Sequence, residues 1–356
     1  MMSRLATMPP GYFALVMATG IVSIGSFFLG FRELSFVLFW LNVVQYLALI
    51  GFTILRFIRH RPEFIADLLN ESRVVTFLTA SAGTFILGSQ FVILLRRNDV
   101  ATALWIVGIV LWIAFVSAFF TTVITRRDKP AVAEGITGAT LILVVATEGM
   151  SVLGTLLAAS AGSKERILFV CLAAYTVGAI LYLIFITLIL FRWMFFSLDA
   201  GTLTPSYWIN MGALAITTLA GSRLILSADE WSFLREIVVF VKGVTFCCWA
   251  MAAWWIPLLI IAGLWRHGVQ RVPIVYDPQY WSLVFPLGMF TVATILFEKA
   301  TGLTMLHFVP LITICLAWVA WVVTFVGMLR SLRKAGRGER ELEIIAAPPD
   351  GQSPRI

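Results

Sequence analysis

ITGATLILVVATEGMSVLGTLLAASAG, Ile136 to Gly162, decides the fold class, because a single charge, Glu148, interrupts an otherwise uncharged run. At about 1.5 Å per residue the run is long enough to cross a hydrocarbon core about 30 Å thick. The rest of the chain repeats the pattern. Of its 356 residues 60% are hydrophobic and 13% charged, and its mean hydropathy is +0.95. Ordinary soluble domains carry about 25% charged residues, so this is an integral membrane protein.

Apolar runs bounded by charges, Gly and Pro predict ten spans: 10 to 31, 35 to 55, 74 to 95, 100 to 124, 136 to 160, 166 to 191, 205 to 227, 235 to 264, 279 to 298 and 307 to 329. The N-terminal run follows a basic residue as a signal peptide would. Pro9 and Pro10 suit a helix start, however, and no small-x-small cleavage site ends the run, so it is read as the first span. The expectation is an all-α integral membrane protein with one transmembrane domain, residues 1–330, and a mostly disordered cytoplasmic tail, residues 331–356. An even number of spans puts both termini on one side. Sorting Lys and Arg by alternate loops gives 17 on the side of the termini and 9 on the other, which predicts cytoplasmic termini in a plasma (inner) membrane.

The net charge of +7 follows from this topology and not from a basic face for nucleic acid, so no nucleic-acid partner is expected. Cys171, Cys247, Cys248 and Cys315 lie inside apolar runs, and His60, His267 and His307 lack ligand spacing. With no P-loop, dinucleotide fingerprint or HExxH, neither a metal nor a cofactor is expected, and the chain is not read as an enzyme. The segment RHRPEFIADLLNES, after the second span, alternates Phe64, Ile65, Leu68 and Leu69 with charges and predicts a surface connector helix. Asn70, Glu71 and Ser72 match a glycosylation triplet that would go unused on the cytoplasmic side.

Small residues let helices approach closely or line a cavity. In twenty-residue windows, Gly, Ala, Ser and Thr total 43 over the five odd spans and 26 over the five even ones. Five hairpins with the odd spans around an axis satisfy that alternation, although tight packing without a pore would too. Thr19, Gly20, Thr79, Gly83, Thr147, Gly212, Thr217, Thr291 and Thr294 are the candidate lining of such an axis.

Glu148 is the foremost candidate for chemistry, since a charged group near the bilayer centre costs about 2.5 to 3.5 kcal/mol on the mildest scale and faces a cavity or partner. It is a possible proton site; a protonated acid bonded to a neighbouring Thr or carbonyl is the structural alternative. Pro286 predicts a kink in the ninth span, and the adjacent Phe285 can plug a narrow path or simply pack. Arg223 and Lys242, near the far ends of spans seven and eight, are expected to snorkel to the interface.

Four stretches in order, PPGYFALVMATGIVS, PSYWINMGALAITTLAG, WAMAAWWIPLLIIAGLWRH and YWSLVFPLGMFTVAT, resemble the tellurite-resistance/dicarboxylate transporter family, within the voltage-dependent anion channels. That group includes bacterial tellurite-resistance channels, fungal malate permeases and plant slow anion channels. The resemblance covers about residues 9 to 330. It implies a homotrimer in the lipid bilayer, five hairpins per protomer around a central pore, and no cofactor. It assigns a pore gate to Phe285. The expected substrate is a small anion, either a C4-dicarboxylate such as malate or an inorganic anion such as sulfite, nitrate, chloride or tellurite. Glu148 departs from the resemblance, standing where an uncharged or amide residue is expected, and it opens the alternative of a proton-coupled dicarboxylate carrier. A scaffold or sensor that transports nothing is the alternative from another class.

Overall fold

The computed structural model describes residues 5–127 and 135–346. Arg4, Lys129 and Arg355 of the charge count, and residues 347–356 of the expected tail, lie outside them. Ten apolar helices account for the ten expected spans: α1 (Pro10–Phe28), α2 (Arg32–Arg59), α3 (Glu71–Leu95), α4 (Asn98–Thr125), α5 (Gly138–Ala158), α6 (Lys164–Phe195), α7 (Pro205–Leu226), α8 (Ser232–Val269), α9 (Pro278–Thr301) and α10 (Phe308–Ala346). No strand occurs among the described residues. Each helix has the length and hydropathy to cross a bilayer, and a helix satisfies most of its backbone hydrogen bonds internally, as a lipid environment demands.

Consecutive helices pair as five hairpins: α1 with α2, α3 with α4, α5 with α6, α7 with α8 and α9 with α10. The odd members also touch one another in sequence, α1 to α3 to α5 to α7 to α9, and α9 returns to α1. They form a closed inner ring. In an apolar 18-residue stretch of each helix, between 78% and 94% is buried in the odd helices, against 11% to 33% in the even ones. The even helices form the outer layer, where Val110, Leu183 and Val239 are exposed on an apolar surface suited to lipid. The small-residue alternation of the sequence is thus the alternation of layers.

Each outer helix rests in the groove between its hairpin partner and the next inner helix, α10 reaching around to α1. An aromatic donor marks each of these second contacts. The Trp321 indole N–H of α10 donates to the Thr19 hydroxyl of α1 at 3.0 Å. Tyr46 of α2 hydrogen-bonds Thr84 of α3 at 2.9 Å, and Trp112 of α4 donates to Thr147 of α5 at 2.9 Å. Tyr182 of α6 donates to the Asn210 carbonyl of α7 at 3.2 Å, and Trp249 of α8 donates to Thr294 of α9 at 3.0 Å. Indoles and phenols carry apolar bodies with one polar handle, so they suit a lipid-facing layer that must still tie itself inward.

All five inner helices run in the same direction, and each carries a 3-10 turn near its start: Pro10–Phe13, Val75–Phe77 (after the α-helical turn Glu71–Val74), Gly138–Leu141, Pro205–Trp208 and Pro278–Tyr280. These turns contact one another as a second closed ring, on the side of the chain termini. Gly138 fits there because its backbone meets the next turn directly. A Cβ on it would stand 2.4 Å from the Ser206 carbonyl oxygen and 2.5 Å from the Tyr207 Cα.

The expected connector helix forms over Arg61–Leu68. It is held down by a charge network: buried Asp67 accepts from Arg56 Nη2 at 2.6 Å and from Arg73 at 2.6 Å, while Arg56 also donates to the Ala6 carbonyl at 3.0 Å. Asn70 is engaged as a helix cap, accepting from the Ser72 and Arg73 backbone N–H groups. At the other end of the chain, α10 continues past the expected span end near residue 329 to Ala346, so the first half of the expected tail is helical. Its Arg, Lys, Glu, Leu and Ala are strong helix formers, and Pro348 and Pro349 follow its end.

Candidate functional site

Two cavities lie in file along the axis of the inner ring, each bordered by all five odd helices. The smaller, about 10 Å³, lies toward the 3-10 turns and is lined by Ala14 and Met17 (α1), Thr79 (α3), Ile142 and Val145 (α5), Ile209 (α7), and Ser282 and Phe285 (α9). The larger, about 40 Å³, lies toward the opposite end, where Ile21, Ile86, Gly149, Ile216 and Met289 stand one or two turns further along the same helices. A cavity of 10 to 15 Å³ holds about one water, so the smaller has room for a single molecule.

The polar side chains on the smaller lining are Thr79 and Ser282, and on the larger Ser89 and Arg223; no acidic residue borders either. Electrostatics at the termini-side mouth comes instead from backbone. Five 3-10 turns converge there, and each inner helix directs the positive end of its macrodipole to that side, with Asn70, Thr137 and Asp277 accepting from backbone N–H groups of α3, α5 and α9. Negative charge is favoured at such an opening.

Phe285 is buried, 1% exposed, and borders the smaller cavity one turn before Met289, which borders the larger. Met17 and Val145 border the smaller cavity at the same level, one turn before Ile21 and Gly149. Pro286 lies inside α9 and packs on Gly212, where an added Cβ would be 2.7 Å from the proline ring. Proline removes one backbone donor and fixes φ. Phe85, on the larger lining, was not singled out by sequence. Its ring also fits against Gly108 of α4, whose Cβ would come within 2.4 Å of it.

Of the nine residues expected to line the axis, Thr79 borders a cavity and the other eight border neither. Thr19, Thr147 and Thr294 turn to the outer layer to receive the Trp321, Trp112 and Trp249 indoles. Thr291 pairs with Thr313 of α10 at 2.7 Å. Thr217 donates to the Ala213 carbonyl of its own helix. Gly20 faces Asn42 and Ile86, Gly83 faces Val16, and Gly212 faces Pro286; each marks a close helix approach. The physical reason is common to all: a hydroxyl or a bare Cα in an apolar bundle is most useful at an interhelical seam, where it is bonded or filled.

Glu148 is fully buried and points away from both cavities, into the α5/α6 hairpin. An added Cβ on Gly178 of α6 would stand 2.3 Å from its Oε1. Neither carboxyl oxygen makes a hydrogen bond, and the Thr217 hydroxyl, the Tyr175 phenol and Cys248 lie near it. An acid expected to face a path is thus off the axis, which removes the conflict between a carboxylate and an anion route.

Arg223 is partly exposed, as a snorkelling residue would be; its side chain borders the larger cavity, and its Nε is buried without a hydrogen-bond partner. Lys242 is exposed, as a snorkelling residue would be. A candidate metal cluster of His, Cys, Asp and Glu is absent among the described residues.

Comparison with known proteins bears on this geometry. A family model described as voltage-dependent anion channel matches residues 7–329, which includes every inner helix. The chain belongs to the voltage-dependent anion channel family. The resemblance seen in the sequence is therefore shown, and the chain is a multi-pass membrane protein of an anion transporter and channel family. Among its relatives is an uncharacterized membrane protein of Mycobacterium tuberculosis, 37% identical over 173 residues, which cover 48% of this chain and 86% of the relative. Two uncharacterized transporters of Methanocaldococcus jannaschii extend along nearly the whole length. One is 21% identical over 346 residues, covering 95% of this chain and 98% of its own; the other is 20% identical over 337 residues, covering 93% and 94%.

Proposed function

We propose that the protein conducts small anions along the axis of its inner ring, with Phe285 as the gate. The closed ring of five inner helices carries the reading: it surrounds two cavities in file, and its five 3-10 turns converge at one end with the positive dipole ends of the helices on that side. Backbone N–H groups and dipole ends stabilise an anion without a fixed counter-charge at that mouth, and they disfavour a cation. The absence of acidic side chains from both linings points the same way. The substrates on this reading are C4-dicarboxylates such as malate, or inorganic anions such as sulfite, nitrate, chloride or tellurite. The termini are cytoplasmic, the membrane is the inner membrane, and the protein is a homotrimer with one path per protomer.

The test is flux of these anions into proteoliposomes of the purified chain and of Phe285→Ala. Removing the ring joins the two cavities, so flux in the variant should rise above the native level. Native protein that moves none of the anions would favour the scaffold reading, and an unchanged Phe285→Ala would remove the gate from Phe285.

A second reading rests on Glu148, whose buried carboxyl lacks a hydrogen bond. A proton held there would couple anion movement to a pH gradient. Glu148→Gln separates the readings: a coupled carrier loses gradient-driven accumulation, whereas a channel retains its flux.

A further inference from the structure

We infer that the segment joining α2 to α3 is a binding surface for an anionic phospholipid, with Arg59 and Arg61 on the headgroup phosphate and Ile54, Phe57 and Ile58 along the acyl chains. The surface lies outside the axial path and does not depend on the transport reading.

Its connections place the segment at headgroup depth. α2 ends at Arg59, the connector helix Arg61–Leu68 follows after one residue, and α3 starts at Glu71. The inner face of the connector is occupied. Phe64 packs edge-on against Phe57 and Phe77, at 5.3 and 5.1 Å between ring centroids, Asp67 holds Arg56 and Arg73, and Thr122 of α4 donates to the Leu68 carbonyl at 3.0 Å. On the other face Arg61, Ile65 and Leu69 follow at intervals of four, and all three are exposed. The last turns of α2 continue that surface with Ile54, Phe57 and Ile58, the last of them 69% exposed. Large apolar side chains at the end of a membrane helix, next to cations, suit the boundary between acyl chains and headgroups.

Charge selects the lipid. Among the described residues no carboxylate pairs with Arg59 or Arg61, and Arg61 lies over the Phe57 ring at 6.0 Å from its centroid. The exposed acid of the connector helix, Glu63, stands 3.9 Å from His60 instead. Arg56 and Arg73 are taken by Asp67, so Arg59 and Arg61 are the guanidiniums that this corner offers to an outside anion. A phosphodiester presents oxygens that such groups bind well. The α6–α7 connection on the same side also exposes apolar residues, Phe195 and Phe196, but the charge that follows them is Asp199. Cations beside an apolar stripe fit a lipid better than a soluble anion, which would use the cations alone.

Thermal unfolding of the full chain in detergent is measured with added phosphatidylglycerol or with phosphatidylcholine of the same acyl chains. The variants are Arg59→Gln/Arg61→Gln, the charge-keeping Arg59→Lys/Arg61→Lys, and Arg32→Gln/Arg96→Gln, which removes the same charge from the opposite side of the membrane. All four arginines are exposed, so the substitutions leave the core intact. Phosphatidylglycerol should raise the native midpoint more than phosphatidylcholine does, and high salt should shrink the difference. In Arg59→Gln/Arg61→Gln the apparent affinity for phosphatidylglycerol should fall on the order of tenfold, while the other two variants stay close to native. Glycerol phosphate, which carries the headgroup charge without acyl chains, should stabilise far less. A native chain with no preference for phosphatidylglycerol, or an Arg59→Gln/Arg61→Gln variant that keeps it, overturns the site. Equal loss in Arg32→Gln/Arg96→Gln would reduce the effect to net charge, and equal stabilisation by glycerol phosphate would make the site one for a soluble anion; either result overturns the lipid assignment.

Discussion

Glu148 of α5 fills the space left by Gly178 of α6, so closely that a Cβ at Gly178 would lie 2.3 Å from Oε1 and 2.7 Å from the carboxyl carbon. The same device recurs where Phe85 fills the space at Gly108, and Thr245 the space at Gly221. In each of these hairpins a glycine on one helix receives a side chain from the other, and the two helices approach along that contact.

Gly178→Ala should therefore destabilise the protein by about 1 to 3 kcal/mol, the usual cost of overpacking a filled site. In Glu148→Ala the same glycine substitution should cost much less, because the obstructing group is gone. A double-mutant cycle from thermal unfolding in detergent measures the coupling; additive effects would mean that the two residues do not touch.

Trp112→Phe should remove the indole donor to Thr147 while keeping most of the apolar body, at about 0.5 to 1.5 kcal/mol. Anion selectivity should be unchanged, since Thr147 faces the outer layer. Unfolding and flux ratios measured on the same preparation check both halves of this expectation.

Asp67→Ala should cost about 3 to 5 kcal/mol, because it leaves the buried Arg56 guanidinium without its carboxylate. Proteolysis of the connector helix, Arg61–Leu68, should accelerate in the variant. A connector as resistant as in the native chain would show that the ion pair does not hold it down.

The ten spans and their two layers are legible in the sequence because both depend on composition: length and hydropathy place a helix in the bilayer, and small residues place it in the inner ring. Rotation about each helix is not legible. Inner helices such as α5 are apolar or small on every side, so no periodicity tells which face meets the axis. Of the hydroxyls expected on the axis, Thr79 borders the smaller cavity, whereas Thr19, Thr147 and Thr294 bond indoles distant in sequence. Phe285 stands out in the sequence because an adjacent proline in a span is a local signal, whereas Phe85 has none.

The most direct test of the axial path is thiol accessibility of single cysteines, placed in a chain whose four native cysteines are replaced by alanine. Leu219→Cys borders the larger cavity, and Thr294→Cys faces Trp249 in the outer layer. A small anionic methanethiosulfonate should block anion flux through Leu219→Cys and leave Thr294→Cys conducting. Block at Thr294→Cys with Leu219→Cys unaffected would place the route outside the inner ring and contradict the account.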